Sequence, residues 1–394
     1  MGPELVSFLT ARLPVRSSAR LRKEWLLGWE ARLLVLITSV LIVIGLASIY
    51  AASSALVERG HAIGSTRMFD QLAGALVGAI LLVLASRLNL DRIRDLAWPI
   101  LLTIGFLLLL LILPFTHRIA PRINGSRRWL DIAGVSVQIS ELCKLAVVMW
   151  TAMLCARKGP EVTHFNKGAL PVLVVVVPLA VLIALEPDLS VAMTIVFLAM
   201  IVLFAAGARI GHFLLLGLAT VPVIWHEIEG AQYRLLRVVT FLDPGSARLS
   251  DAYQIDQSLI GVGSGGLHGV GFGNGQQKLG FLPYPYSDFI FATIAEEWGF
   301  AGVLFLVACY TVFVMVALRL SKAAADPFRQ LLGIGCTVMI GSDAFLHMAV
   351  GVGIVPTTGL VLPFVSYGRS GLIVAMIATG LLINLGSRKR QALD

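Results

Sequence analysis

A chain of 394 residues is long enough for two or three soluble domains, yet only 14% of it is charged and 57% is hydrophobic, against about 25% charged in soluble domains. With a mean hydropathy of +0.86, that balance excludes a soluble enzyme, a secreted disulfide scaffold and a disordered chain. The net charge of +8 is explained first by orientation in a membrane rather than by nucleic acid, because no basic face interleaved with aromatics stands outside the loop flanks.

In chain order, residues 1–32 form a basic, polar segment with Arg20, Arg22, Lys23 and Arg32, too long and polar for a cleavable signal peptide and expected in the cytoplasm. Ten apolar stretches follow, at about 33–52, 71–88, 97–114, 140–156, 169–186, 189–206, 210–226, 293–318, 329–354 and 360–386. Each has the length that crosses roughly 30 Å of hydrocarbon as a helix. The expected protein is an all-α integral membrane protein whose ten-helix domain covers residues 33–388, followed by a cytoplasmic tail at 389–394. With the N-terminus inside, 19 Lys and Arg fall in cytoplasmic segments and 10 in external ones, which places both termini in the cytoplasm. The external loop of about 227–292 is long for a structureless connection, so short helices and re-entrant pieces are expected in it. Cys143, Cys155, Cys309 and Cys336 all fall within spans without CxxC spacing and read as apolar packing residues.

Charged groups near membrane depth cost roughly 2.5 to 3.5 kcal/mol each, so those present pair, face a cavity or do work. Of the 23 acidic residues, 15 fall on external loops or the outer parts of spans, which marks the outer face as the working face. Arg127 and Arg128 precede Trp129 and read either as a forked phosphate site or as an interfacial anchor. Ser140 is placed to cap the fourth helix, and Glu141 with Lys144 forms an i,i+3 pair. Glu186 and Asp188 sit close enough to repel, so one of them needs a cation or a proton, and Lys144 is the expected partner.

In the large loop, Tyr233, Arg234, Arg237 and Asp243 precede a run from Gly261 to Gly275 with 8 glycines in 15 residues. No strand precedes its formal GxGxxG, so a dinucleotide site fails there, and the glycines are expected to admit a bulky ligand or a re-entrant bend. Lys278, Asp288, Glu296 and Glu297 follow. Asp288 stands where the polar loop meets the eighth helix and reads either as a partly desolvated base or as an N-cap. Ser366, Tyr367 and Arg369 sit in a stretch interrupted by Pro363 and Gly368, expected to line a polar cavity. Asp343 and His347, an i,i+4 pair, read first as a buried pair that satisfies itself and second as a proton relay or metal site.

Taken in order, these segments resemble the SEDS family (shape, elongation, division and sporulation) over about residues 33–388. The resemblance rests on NGSRRW at 124–129, QISE at 138–141, EPD at 186–188 and YQIDQSLIGVGSGGLHGVGFGNG at 253–275. QKLGFLP at 277–283, SDFIFATIAEEWGF at 287–300 and VPTTGLVLPFVSYG at 355–368 complete it. The Arg pair before Trp129 is closer to the division-type than to the elongation-type branch. Departures are Pro283-Tyr284-Pro285-Tyr286-Ser287, where the family usually has a Glu and a His, Arg369 and Ser370 after SYG, and Asp343 and His347, where Gln and Asn are common.

The resemblance implies a ten-helix peptidoglycan glycosyltransferase that polymerises lipid II at the outer face of the bacterial cytoplasmic membrane during division. It implies a class B penicillin-binding protein and other division or elongation proteins as partners, with no organic cofactor. Asp288 corresponds to the family's essential acidic residue and is expected to be the general base. Arg127, Arg128, Lys278 and Arg369 are the expected cations for the leaving pyrophosphate, a task a divalent cation (Mg²⁺ or Mn²⁺) could share. Ser366 and Tyr367 are expected against the substrate, with Glu141, Lys144, Glu186, Asp188, Glu296 and Glu297 organising the cavity. Two rival classes are a flippase for lipid-linked precursors and a non-catalytic division scaffold.

Overall fold

The computed structural model describes residues 28–54, 57–58, 61–113, 127–132, 135–230 and 251–388. Residues 1–27, Asn124 to Ser126, Tyr233 to Asp243 and the tail at 389–394 lie outside them. Among the described residues each apolar stretch carries a helix: α1 Trp29–Ser53, α2 Gly64–Arg87, α3 Leu90–Ile112, α4 Ile139–Lys158, α5 Ala169–Leu185, α6 Leu189–Ala205, α7 Ile210–Glu229, α9 Ile290–Lys322, α10 Pro327–Gly351 and α11 Arg369–Arg388. A shorter helix, α8 at Asp251–Ser264, stands in the large loop. Seven of the ten are long and apolar enough to cross a membrane; α5, α6 and the apolar part of α7 (Ile210–Pro222) are shorter. At 17 residues each, α5 and α6 span about 26 Å.

Four boundaries moved for identifiable reasons. The first helix starts at Trp29, inside the segment expected to end at residue 32. The second reaches back to Gly64 because Arg67, Asp70 and Gln71 continue its turns above the apolar stretch. The third starts at Leu90, capped by Asn89, whose side chain accepts the Asp91 N–H at 3.1 Å. The tenth starts only at Arg369, not near 360. Pro363 offers no N–H there, and the Leu362 N–H goes to Ser366 Oγ at 2.9 Å instead of a helical carbonyl.

The fold is also not purely helical. Two antiparallel hairpins join the helices, β1 Val57–Glu58 with β2 His61–Ala62, and β3 Trp129–Ile132 with β4 Val135–Gln138. In the second, Trp129 pairs with Gln138 and Leu130 with Val137. The alternation of Val135, Val137 and Ile139 carried that signal, too short to stand out beside the apolar helices.

The buried centre is α4, which packs on α3, α6, α10 and α11 and carries Trp150, Lys144 and Cys143 fully buried. Helices α2 and α11 pack closely along their length. A Cβ at Gly78 would fall 2.4 Å from Met376 Sδ, and one at Gly380 2.4 Å from the Leu82 carbonyl, so small residues set the approach of these backbones. Large apolar side chains on α1, α2, α3, α5, α7 and α9 point outward, as a lipid-facing surface requires.

Candidate active site

Three charged groupings sit at the same end of the bundle. The first joins β3 to the α5–α6 turn. Arg128 Nη1 lies 3.4 Å from Asp188 Oδ2, its Nε donates to the Glu186 carbonyl at 3.2 Å, and its Nη2 donates to the Pro187 carbonyl. Asp188 also caps α6 by accepting the Val191 N–H at 3.3 Å. The expected partner, Lys144, is engaged elsewhere: it bonds Glu141 Oε2 at 2.9 Å and Asp343 Oδ2 at 2.7 Å. A chain entering from the hairpin presents Arg128 to the turn, whereas Lys144 is one helical turn deeper in α4.

Repulsion between the two carboxylates of the turn is relieved in two ways. Asp188 takes the cation. Glu186, in the α5–α6 connection and 3% exposed, has neither carboxyl oxygen hydrogen-bonded among the described residues. Burial first, and the charge of Asp188 second, push its pKa up to about 8.

Asp343 and His347 do not satisfy each other. Asp343 pairs with Lys144, and His347 Nδ1 donates to the Leu360 carbonyl at 2.8 Å. Ser140 is no cap either, since Gln138 occupies the N-cap of α4 and its amide donates to Ser140 Oγ at 3.2 Å. Glu141, Lys144, Asp343, Val361, Pro363 and Gly371 line a cavity of about 10 Å³, room for one water molecule.

The second grouping is a knot between the glycine run and α9. At Gly299 (φ 66°, ψ −165°) α9 breaks, and the backbone groups it frees are taken by the loop. Val270 and Gly271 donate to the carbonyls of Glu296 and Glu297 at 3.0 and 3.1 Å, while Phe300 and Ala301 donate to Gly266 and Leu267 at 2.9 and 3.1 Å. A Cβ at Gly299 would lie 2.2 Å from the Gly269 nitrogen. The glycines, expected to admit a bulky ligand or a re-entrant bend, pack their backbone against the protein's own helix.

Glu296 Oε1 accepts the Gln276 N–H at 2.7 Å, and Glu297 accepts the Gly273 N–H at 3.0 Å. Lys278 reaches Glu297 at 2.9 Å and the Gly273 carbonyl at 2.5 Å. Lys278, Glu296 and Glu297 are all buried and committed to this knot.

The third grouping surrounds Asp288, which is half-buried two residues before α9, with Phe289 and not Asp288 at the N-cap. Phe289 anchors the turn by packing with Leu282, Ala292 and Val350. The segment before α11 locks onto it: Ser366 Oγ donates to the Ser287 carbonyl at 2.9 Å, and the Tyr367 N–H to the Tyr286 carbonyl at 3.0 Å. Gln71 of α2 ties that segment down, donating to the Ser366 carbonyl at 3.0 Å and accepting the Gly368 N–H at 3.1 Å.

Arg67 lies 3.6 Å over the Tyr286 ring, the Tyr286 and Tyr367 rings meet edge-on at 5.8 Å, and Tyr367 Oη is 3.4 Å from Asp70 Oδ2. Burial raises the Tyr286 phenol above its ordinary value, Arg67 pulls it back, and the charge of Asp288 adds to the rise. Arg369 starts α11 against Gly74, and its charge acts on Tyr367. Arg127 is half-buried, and its Nε has no hydrogen-bond partner among the described residues.

The structure thus brings Asp288, Ser366, Tyr367 and Arg369 together, holds Lys278, Glu296 and Glu297 in the neighbouring knot, and places Glu141, Lys144, Glu186 and Asp188 in a buried layer. Arg67, Asp70 and Gln71 were missed by sequence reasoning. Their signal was present: at i, i+3 and i+4 they form one polar face leading into an apolar helix.

Compared with known proteins, residues 31–391 match the model of the FtsW, RodA and SpoVE family, described as "Cell cycle protein". The chain is 34% identical over 367 residues to the probable peptidoglycan glycosyltransferase FtsW of Trichlorobacter lovleyi, covering 93% of this chain and 96% of the relative. It is 34% identical over 360 residues to the stage V sporulation protein E of Bacillus subtilis, covering 91% and 97%. Among solved structures it resembles a chain from a peptidoglycan synthase complex that coordinates polymerization and crosslinking, with TM-score 0.76, 26% identity and coverage of 93% and 99%. The rod shape determining protein RodA of Thermus thermophilus shares the fold, with TM-score 0.63 at 23% identity over 92% of this chain and 97% of that one.

Proposed function

We infer the function from one premise: this chain belongs to the FtsW, RodA and SpoVE family of cell cycle proteins. It is a peptidoglycan glycosyltransferase of the division type, working in the bacterial cytoplasmic membrane. All ten apolar helices cross, the three shorter ones included, with both termini in the cytoplasm and Asp288 at the outer face. The excess of 19 basic residues over 10 between the two sides supports that orientation.

The reaction joins two lipid II molecules. The 4-hydroxyl oxygen of the acceptor sugar attacks C1 of the donor disaccharide, the C1–oxygen bond to undecaprenyl pyrophosphate breaks with inversion, and the hydroxyl proton passes to Asp288. A base at this place contributes about 10²- to 10⁴-fold in rate. The observation that carries the reading is the convergence of three elements on Asp288, with α2, the turn before α9 and the segment before α11 bonded to one another around it.

Arg67, over the Tyr286 ring, and Arg369, whose charge acts on Tyr367, are the cations we assign to the leaving pyrophosphate. Arg128 and Lys278 hold the scaffold. Among the described residues no three His, Cys, Asp or Glu side chains gather to hold a metal ion. A divalent cation would therefore enter mainly on the substrate's own phosphates, with at most one or two carboxylates added, and would neutralise charge on the leaving group.

A class B penicillin-binding protein is the partner we propose, supported by the likeness to a chain solved within a synthase complex. The test incubates the purified chain and its cognate transpeptidase with labelled lipid II and a divalent cation, resolving products by gel. Polymer from the parent and none from Asp288→Asn is expected; polymer from both removes the base, and from neither, with the complex intact, removes the enzyme.

A further inference from the structure

The end of the bundle opposite Asp288 holds a cavity of about 220 Å³ that the glycosyl-transfer site does not use. It is lined by Arg94 and Asp95 of α3, Arg157 of α4, and Asp326 and Phe328 at the start of α10. Because α4 runs 20 residues from Ile139 to Lys158, about 30 Å separates its two ends.

The charges around this cavity are unevenly committed. Asp326 is satisfied, its Oδ1 accepting the Arg329 N–H and its Oδ2 lying 3.0 Å from Arg329 Nε. Arg329 reaches Asp91 as well, at 3.1 Å. Among the described residues Arg94 pairs only with its sequence neighbour Asp95, at 3.8 Å with both side chains well exposed, and Arg157 is in no ion pair. Two guanidinium groups therefore stand at the cavity against one loosely held carboxylate, a balance that favours an anion.

The size and surroundings say which anion. At about 220 Å³ the space is below the roughly 300 to 1,000 Å³ of pockets for drug-sized molecules, so it suits a small ionic group rather than a nucleotide. Trp98, one turn along α3 from Arg94, packs edge-on against Trp150 at 5.1 Å and is partly exposed, as an indole at headgroup depth is. Beyond it Leu102 and Phe106 continue an outward apolar track along α3.

We propose that this cavity binds the headgroup of an anionic glycerophospholipid from the adjacent leaflet, with Arg94 and Arg157 donating to its phosphate and the acyl chains lying along α3. Basic pockets between membrane helices recognise such headgroups, and paired guanidinium donors suit phosphate oxygens.

The full chain in neutral detergent is titrated with phosphatidylglycerol, phosphatidylcholine or inorganic phosphate, with retained lipid counted by native mass spectrometry and Tm followed in parallel. Phosphatidylglycerol should be retained and should raise Tm, while the other two should not. The double variant Arg94→Gln with Arg157→Gln should bind phosphatidylglycerol about thirtyfold more weakly, and Asp95→Asn roughly fivefold more tightly. Unchanged retention in the double variant, equal retention of phosphatidylcholine, or a Tm rise from inorganic phosphate alone overturns the proposal. Should the double variant not fold, Asp95→Asn still decides, since failure to tighten overturns it too.

Discussion

The knot at Lys278 and the site at Asp288 are ten residues apart in sequence and both gather acidic and basic side chains, yet they are opposite in character. In the knot, every charge is buried and answered: Lys278 by Glu297 and a carbonyl, Glu296 and Glu297 by backbone N–H groups. Around Asp288, Arg67 and Asp70 are half-buried and meet tyrosine groups, Arg67 over the Tyr286 ring and Asp70 at the Tyr367 hydroxyl. Desolvated charge is costly, so a fully paired cluster holds shape, whereas a partly wet one keeps capacity for a substrate. The buried trio of Lys144, Glu141 and Asp343 resembles the knot in pairing its cation with carboxylates, whereas Glu186 beside it does not.

Breaking either side of that comparison should give different signatures. Lys278→Met leaves Glu297 buried without its cation and should cost about 3 to 5 kcal/mol, read as a lowered Tm in detergent. A variant as stable as the parent but inactive would move Lys278 from scaffold to substrate. Gly299→Ala should cost about 1 to 3 kcal/mol for its left-handed backbone alone, and more because the added carbon meets the Gly269 nitrogen at 2.2 Å. Limited proteolysis of the 261–280 segment should speed up; unchanged protection would mean the loop does not rely on the kink.

Glu186→Gln sharpens the comparison through pH. With its pKa raised from 4.5 to about 8 in the fold, Glu186 keeps its proton when the unfolded chain has lost it. It therefore burdens the fold increasingly as pH rises from about 4.5 to 8, and not below that window. The glutamine variant should gain Tm at pH 8 and be unchanged at pH 4; an equal gain at both would mean that packing, not ionisation, is responsible. The smallest effect is expected from Arg67→Gln, which removes a cation over Tyr286 worth about 0.5 to 1 kcal/mol. Polymerisation should fall roughly fivefold with Tm barely moved, and a drop in Tm without loss of rate would make Arg67 a structural residue only.

The amino-acid sequence determined the membrane class and the largely helical fold, and it drew attention to Asp288, because each rests on local properties. Apolar length marks a span, and a carboxylate at the head of an apolar helix is conspicuous wherever the chain goes. Partnership was decided only in three dimensions. Arg128 rather than Lys144 answers Asp188 because a hairpin brings it there, and Asp343 reaches Lys144 across 199 residues. Glycines that read as room for a ligand or for a re-entrant bend serve a break in α9, since the groups that break frees are visible only when helix and loop are packed. Arg67 and Asp70 join the site because small residues let α2 lie close on α11. Periodicity and burial are written along the chain; which charge meets which depends on how the helices pack, and no local pattern encodes it.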